Sequence, residues 1–173
     1  MSERLLRRET WIPRGMDKVF EFFSRAENLE KLTPPLVGFQ ILTPTPIAMK
    51  SGALIDYKIR IHGVPVRWRT KITVWEPPLR FVDEQLAGPY RQWIHEHRFH
   101  AEGEGTRMVD TVRYRAPGWF LEPLIHRVFV GPDLKKIFDF RELKMKELFG
   151  GGAAGAAAEQ VSTQSKNHTP SST

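Results

Sequence analysis

The stretch that decides the fold runs from Leu54 to Trp75 and reads LIDYKIRIHGVPVRWRTKITVW. Apolar and polar residues alternate in it with a period of two, on both sides of Gly63. This alternation predicts two antiparallel strands, Leu54–Ile61 and Val64–Trp75, joined by a tight turn and buried on one face. The face predicted to point inward consists of Ile55, Tyr57, Ile59, Ile61, Val66, Trp68, Thr70, Ile72 and Val74.

The same period recurs along the chain and predicts further strands. Turn residues, Ala87-Gly88-Pro89 and Glu102-Gly103-Glu104-Gly105, separate three of them. The additional strands are Leu5–Ile12, Phe39–Leu42, Arg80–Leu86, Gln92–Ala101 and Arg107–Arg115.

Two segments change to the helical period. Met16–Ala26 places phenylalanines at helical spacing, and Pro34-Pro35 ends that region. Trp119–Phe149 carries apolar residues among charges, and Gly131-Pro132 is expected to kink or split it. We therefore predict an α+β architecture, in which a curved seven-stranded antiparallel sheet wraps around a long C-terminal helix, with one or two short helices after the first strand. Because one helix cannot fill such a concavity, we expect an internal cavity.

Composition bounds the class of protein. The 173 residues include no cysteine, which excludes disulfides, thiolate metal sites and cysteine nucleophiles. No apolar run reaches the roughly 18 residues of a spanning helix, and the start does not resemble a signal peptide, so we expect a cytoplasmic protein. At Gly150 the composition changes to Gly, Ala and Ser. We predict a folded domain over residues 1–149 and a disordered tail over residues 150–173.

Several short motifs resemble one protein superfamily. They are Thr33-Pro34-Pro35, Trp75-Glu76-Pro77-Pro78, Phe81–Gln85, Gly88-Pro89-Tyr90 and Trp93–Phe99. With the order of elements, they make residues 4–149 similar to the START-like, helix-grip (SRPBCC) superfamily, which includes polyketide cyclases/dehydratases and lipid carriers, and specifically to a bacterial ligand-binding subfamily. The resemblance implies a cavity that binds a hydrophobic or amphipathic small molecule, and no cofactor. Some relatives carry a sugar-nucleotide-epimerase-like domain, and we expect no such nucleotide-binding domain in this chain.

The candidate ligand-binding residues follow from strand parity, which turns alternate side chains toward the concave face. A hairpin turn centred on Gly103-Glu104 would place His97 opposite Asp110, with their Cβ atoms about 5 Å apart. Apolar contacts with the ligand are expected from Tyr57, Trp68, Phe81, Trp93, Phe99, Tyr114 and Ile137. Its orientation is expected to depend on Asp83, Gln85, His95, His97 and Asp110.

The role of the His97–Asp110 pair stays open. The two groups could satisfy each other structurally, anchor a polar ligand group, or transfer protons in a cyclase/dehydratase reaction with Tyr114 as a helper. His95 and His97 could also chelate a metal with Asp83 or Asp110. Spacing alone is a weak signal for that, so we predict no metal and commit to no catalytic residue.

Two other polar residues have alternative interpretations. Asp83 lies inward by parity, where it either adds polarity to the cavity or pairs structurally with Arg80 or Arg98. His126 is expected on the surface or as a helix cap.

A basic stripe accounts for part of the net charge of +6. We expect its side chains on the outer face of two neighbouring strands, where they form a solvated surface or meet an anionic partner. No exposed aromatic residues are interleaved with them on that face, so nucleic acid is not the expected partner, whereas a peripheral membrane contact stays open. The number of chains that assemble is not predicted. The stripe consists of Lys58, Arg60, Arg67, Arg69 and Lys71.

Overall fold

Seven antiparallel strands form a single sheet in the computed structural model, which describes residues 3–150. The spatial order of the strands is β1-β7-β6-β5-β4-β3-β2, so the first strand lies beside the last. The tail predicted after Gly150 lies outside the described residues. The strands are β1 (Arg4–Ile12), β2 (Gln40–Ile41), β3 (Leu54–Ile61), β4 (Val64–Glu76), β5 (Arg80–Ala87), β6 (Gln92–Glu102) and β7 (Gly105–Arg115).

Helical segments pack against the concave face of this sheet. After β1 come α1 (Met16–Phe23) and two 3₁₀ segments, Ala26–Leu32 and Pro35–Val37. After β7 the chain continues through a 3₁₀ turn, a short helix, a π turn and a long helix, which confirms the predicted helix-grip architecture. These last elements are Trp119–Leu121, α2 (Glu122–Ile125), His126–Val130 and α3 (Gly131–Phe149).

The first helix is shorter than predicted and ends at Phe23. The side chain of Asn28 donates a hydrogen bond to the carbonyl of Phe22, and the Ser24 hydroxyl donates one to the carbonyl of Glu21. Such bonds satisfy the free carbonyls of a helix end, so the chain can tighten into the 3₁₀ segment that follows.

The hairpin turn between β3 and β4 fixes the register in which these two strands pair. His62 and Gly63 form its two-residue turn, with φ angles of 49° and 83°. Both angles lie in the left-handed region that a tight hairpin turn with the right twist requires. The turn pairs Tyr57 with Trp68, so their rings lie side by side on the inner face.

A β-bulge in β4 corrects one parity prediction. Ile72 pairs with Asp83, but Val74 pairs with Val82, so Thr73 is an extra residue. A bulge of this kind shifts the alternation of side chains by one residue. Trp75, and not Val74, therefore packs against the buried ring of Phe81.

Side chains fill the two ends of the space between sheet and helix unequally. At one end, here called the packed half, α1 inserts into the concavity beside β6, β7 and the C-terminal turns of α3. At the other end, the cavity half, α3 touches the sheet with Leu134 and Phe138. The packed half comprises Ile12, Val19, Phe20, Phe23, Leu32, Phe81, Phe99, Met108 and Met145.

No helix among residues 3–150 is long and apolar enough to cross a membrane.

Candidate functional site

A cavity of about 810 Å³ lies between the concave face of the sheet, the 3₁₀ segments and α3. This volume is in the range of pockets that hold drug-sized molecules. Most of the predicted ligand-binding residues belong to its wall, which brings them together in one place. They are Tyr57, Trp68, Phe81, Asp83, Trp93, His95, His97 and Ile137.

Aromatic rings form much of the wall. Tyr57 stacks on Trp68 with ring centroids 5.7 Å apart, and Trp93 meets Trp68 edge to face at 5.4 Å. The indole N–H of Trp68 donates to the Thr70 hydroxyl at 3.1 Å, which satisfies this buried donor inside the protein. The wall therefore presents mainly apolar surface to a bound molecule.

The mouth of the cavity is marked by wall residues that are also exposed. Leu36 is 75% exposed and Phe129 is 49% exposed, although both line the cavity. The hairpin tip reaches the helical segment here, since His62 Nε2 lies 2.8 Å from Asp133 Oδ2 and the His62 ring packs on Phe129. The hairpin and the C-terminal helical region thus frame the entrance together.

Four of the predicted residues are outside this wall. Gln85 donates to the carbonyl of Tyr90 at 2.6 Å and so holds the β5–β6 loop. Phe99 is 1% exposed and packs in the packed half. Tyr114 turns toward the C-terminal helical region, and Asp110 lies behind the histidines.

Two histidines and two aspartates form a buried cluster at the inner end of the cavity. As the hairpin register predicted, His97 pairs with Asp110, and its Nδ1 lies 2.7 Å from Asp110 Oδ1. His95 Nε2 lies 3.1 Å from the same oxygen. On the cavity side, Asp83 Oδ2 lies 3.0 Å from His97 Nε2 and 3.7 Å from His95 Nδ1. Each imidazole therefore lies between two carboxylates.

Arg141, from α3, completes the cluster, and sequence reasoning missed it. Its Nε lies 3.6 Å from Asp110 Oδ2, and the residue is 6% exposed. A sequence signal for Arg141 exists: it lies at helical spacing from the apolar residues of α3 that face the sheet, although it is charged. Buried charges need partners of opposite sign, so Arg141 and Asp110 each make the other tolerable.

The carboxylates of the cluster stay ionised. Burial by itself would raise the pKa of Asp110, but the charge of Arg141 and the close contacts of the two histidines hold that pKa well below its usual value. Burial opposes ionisation of Asp83 too, but the hydrogen bond from His97 and the charges of the two histidines and Arg141 together outweigh burial and lower the pKa of Asp83.

The two histidines differ in their affinity for a proton. Burial lowers the pKa of His95, and the neighbouring His97 lowers it further. Burial would also lower the pKa of His97, but the close contacts with the negatively charged Asp110 and Asp83 together outweigh burial and raise that pKa. His97 therefore binds a proton more readily than His95 does.

The structure distinguishes between the alternatives left open for two other polar residues. Asp83 lines the cavity and pairs with histidines, whereas Arg80 bonds to Glu76 and Glu96, and Arg98 pairs with Glu96. His126 is half-buried and occupies the C-cap position of α2, one of the two places expected for it, and its Nε2 lies 2.8 Å from the Tyr114 hydroxyl.

The basic stripe lies on β3 and β4 as predicted. Lys58 pairs with Arg67, and Asp56 pairs with Arg69. The Arg69 guanidinium donates to both oxygens of Asp56, at 2.7 and 2.9 Å, so part of the stripe's charge is neutralised within the sheet. Binding of an anionic partner to this stripe stays a prediction.

Comparisons with known proteins agree with this geometry. Solved structures similar to this one include the Zhui aromatase/cyclase of Streptomyces sp. R1128, with a TM-score of 0.65, 16% identity, and coverage of 88% of this chain and 99% of that one. Another is the protein TTHA0849 of Thermus thermophilus, with a TM-score of 0.59, 19% identity, and coverage of 83% and 98%. These likenesses show the fold.

A third similar structure is a nucleoside-diphosphate sugar epimerase from Corynebacterium glutamicum, with a TM-score of 0.58 and 22% identity. The match covers 82% of this chain and only 28% of the epimerase, so the likeness is to one part of that longer protein. No curated protein matches the chain. The family described as polyketide cyclase / dehydrase and lipid transport matches residues 12–139. The chain therefore belongs to this family, within the START-like (SRPBCC) superfamily, whose fold supports ligand binding.

Proposed function

We propose that the protein binds a hydrophobic or amphipathic small molecule, whose apolar body fills the cavity and whose polar group reaches Asp83 and His97. The observation that carries this proposal is a cavity of about 810 Å³ with an aromatic wall and a buried polar cluster at one end. Apolar burial supplies most of the affinity of such sites, and a few polar groups supply orientation.

The first experiment compares the native mass of the purified protein with its denatured mass, and identifies any molecule released into solvent. We expect a stoichiometric apolar or amphipathic compound. A weakly held ligand is lost during purification. Binding of added ligands is therefore also measured directly, with protein from which a chelator has removed any metal ion.

A matched pair of ligands tests the polar end of the cavity. 2-Naphthol and 2-methylnaphthalene have nearly the same shape, but only the naphthol donates a hydrogen bond. We expect both to bind, and the naphthol to bind at least about tenfold more tightly, because a hydrogen bond to a carboxylate contributes roughly 1.5–3 kcal/mol. The preference should disappear in Asp83→Asn. Binding of neither compound would contradict the proposal, and equal binding of both would remove the polar anchor from it.

A second candidate function is cyclase/dehydratase-type catalysis at the same place. It is favoured by the contact of His97 with Asp83, both of which line the cavity and could move a proton to or from a bound substrate. Conversion of a linear poly-β-ketone by the wild type into a cyclised aromatic product, with release of water, would support it if the activity is lost in His97→Gln. Equal rates with both proteins would contradict it.

A further inference from the structure

We propose that Asp83, His95 and His97 form a binding site for one divalent transition-metal ion, of the Zn²⁺ or Fe²⁺ class, at the inner end of the cavity. All three side chains line the cavity wall. Two imidazoles and one carboxylate form a donor set that suits these ions and leaves coordination positions for other ligands.

The donor atoms already converge. One nitrogen of each imidazole and one carboxylate oxygen all lie within 4.8 Å of one another. Asp83 Oδ2 is 3.0 Å from His97 Nε2 and 3.7 Å from His95 Nδ1. Donors around an ion with bond lengths of about 2.1 Å lie roughly 3–3.5 Å apart, so both distances from Asp83 Oδ2 lie in this range or within a few tenths of an ångström of it.

The strands make this convergence a stable feature. His95 and His97 are two residues apart on β6, so both side chains project from the same face of the sheet. Asp83 is the direct cross-strand neighbour of His95 on β5. The three ligands are thus held by two adjacent, hydrogen-bonded strands and by no loop.

Asp110 lies on the far side of His95 and His97 from Asp83, where its carboxylate can orient the two imidazole rings. Metal-bound histidines usually donate the N–H of their other nitrogen to a carboxylate or carbonyl. His95 Nε2 lies 3.1 Å from Asp110 Oδ1 and is hydrogen-bonded to it. His97 Nδ1 is 2.7 Å from the same oxygen but not aligned for a hydrogen bond, so the ring must rotate slightly to complete the arrangement.

The formal charge of the cluster suits a cation. With both imidazoles neutral, as metal binding requires, the two carboxylates carry two negative charges, and Arg141 compensates one of them through its contact with Asp110. A divalent ion compensates the remaining negative charge without removing Arg141 from Asp110. The ion would also face the cavity, where a polar group of a bound molecule could join its coordination shell.

The test measures metal binding to the full chain. Chelator-treated protein is titrated with Zn²⁺ and Co²⁺, bound metal is counted by mass spectrometry, and Zn X-ray absorption reports the ligands. We expect one ion per chain, two imidazoles in its shell, and a Co²⁺ absorption band between about 500 and 650 nm, typical of low-coordinate N/O sites. Folded wild-type protein that binds no stoichiometric ion at micromolar metal would overturn the proposal.

Variants assign the ion to this place. Asp83→Asn and His97→Gln should each weaken binding by more than about 100-fold, and Asp110→Asn by about 10–100-fold, the loss typical of an orienting group. The matched control is His100→Gln, which removes an exposed histidine of the same strand that is not part of the cavity wall and should leave the affinity unchanged. Metal binding that survives Asp83→Asn and His97→Gln would place the ion elsewhere and contradict the proposal.

Circular dichroism checks that each variant is folded. Naphthol binding, measured without metal, tests the cavity separately, so the two proposals can fail independently.

Discussion

The packed half and the cavity half are built on the same sheet and the same helix, yet only one of them has room for a ligand. In the packed half, the ring of Phe20 contacts the rings of Phe81 and Phe99, at centroid distances of 6.0 and 5.4 Å. In the cavity half, Tyr57 and Trp68 stack along the wall and leave a volume of about 810 Å³. The difference is α1, whose phenylalanines fill one end of the concavity.

The largest expected difference between the two halves is in stability, and it is tested by removing one aromatic ring from each half. Phe99→Ala should lower the free energy of unfolding by about 3–5 kcal/mol, because it leaves a hole in a close-packed core. Phe39→Ala removes a partly buried ring from the cavity wall and should cost about 1 kcal/mol. Urea unfolding measures both values. Equal losses would contradict the distinction between a packed half and an open one.

The next effect concerns the buried charge at the boundary between the halves. Arg141→Met keeps much of the length of the side chain but leaves Asp110 without its cation, and we expect a loss of about 3 kcal/mol in the free energy of unfolding. Lys135→Met is the control, because it breaks an exposed ion pair with Asp139 on the same helix and should cost less than about 0.5 kcal/mol. A loss in Arg141→Met no larger than in the control would show that the buried charges do not depend on each other.

The smallest expected effect is a pH-dependent loss of local stability in the helical segment between β7 and α3. There His126 and Tyr114 share a hydrogen bond. Burial lowers the pKa of His126, and the charge of Arg4 lowers it further. The folded state therefore takes up a proton less readily than the unfolded state. The stability that neutral His126 contributes is present above about pH 6.5 and is lost as the pH falls below that value.

Hydrogen exchange of residues 122–130, corrected for intrinsic rates, measures this loss. We expect faster exchange at pH 5.5 than at pH 7.5 in the wild type and a smaller difference in His126→Gln. The same pH dependence in both proteins would show that another group is responsible.

Strand parity and turn chemistry were enough to predict the sheet and part of the cluster. The Glu102–Gly105 turn sets the β6–β7 register, and the register alone places His97 opposite Asp110. These are local rules, because each depends on residues that are close in the chain.

Strand parity predicts which side chains point inward. It does not predict whether such a side chain lines the cavity or is covered by another element, because that depends on tertiary packing. Phe99 points inward as predicted, but α1 covers it, so it is core and not cavity wall. Arg141 reaches Asp110 only because the π turn and α3 fix the rotation of a distant helix. Asp83 meets His97 diagonally across two strands, a contact that depends on side-chain reach as well as on register.

Dye binding to two tryptophan variants tests the cavity most directly. Ile59 lines the cavity, whereas its neighbour Lys58 is not among the wall residues and belongs to the basic stripe on the outer face. Nile red fluorescence should report micromolar binding to the wild type and to Lys58→Trp, and at least tenfold weaker binding to Ile59→Trp, because the added ring occupies the ligand's space. Equal dye affinity for the two folded variants would contradict a binding site between sheet and helix.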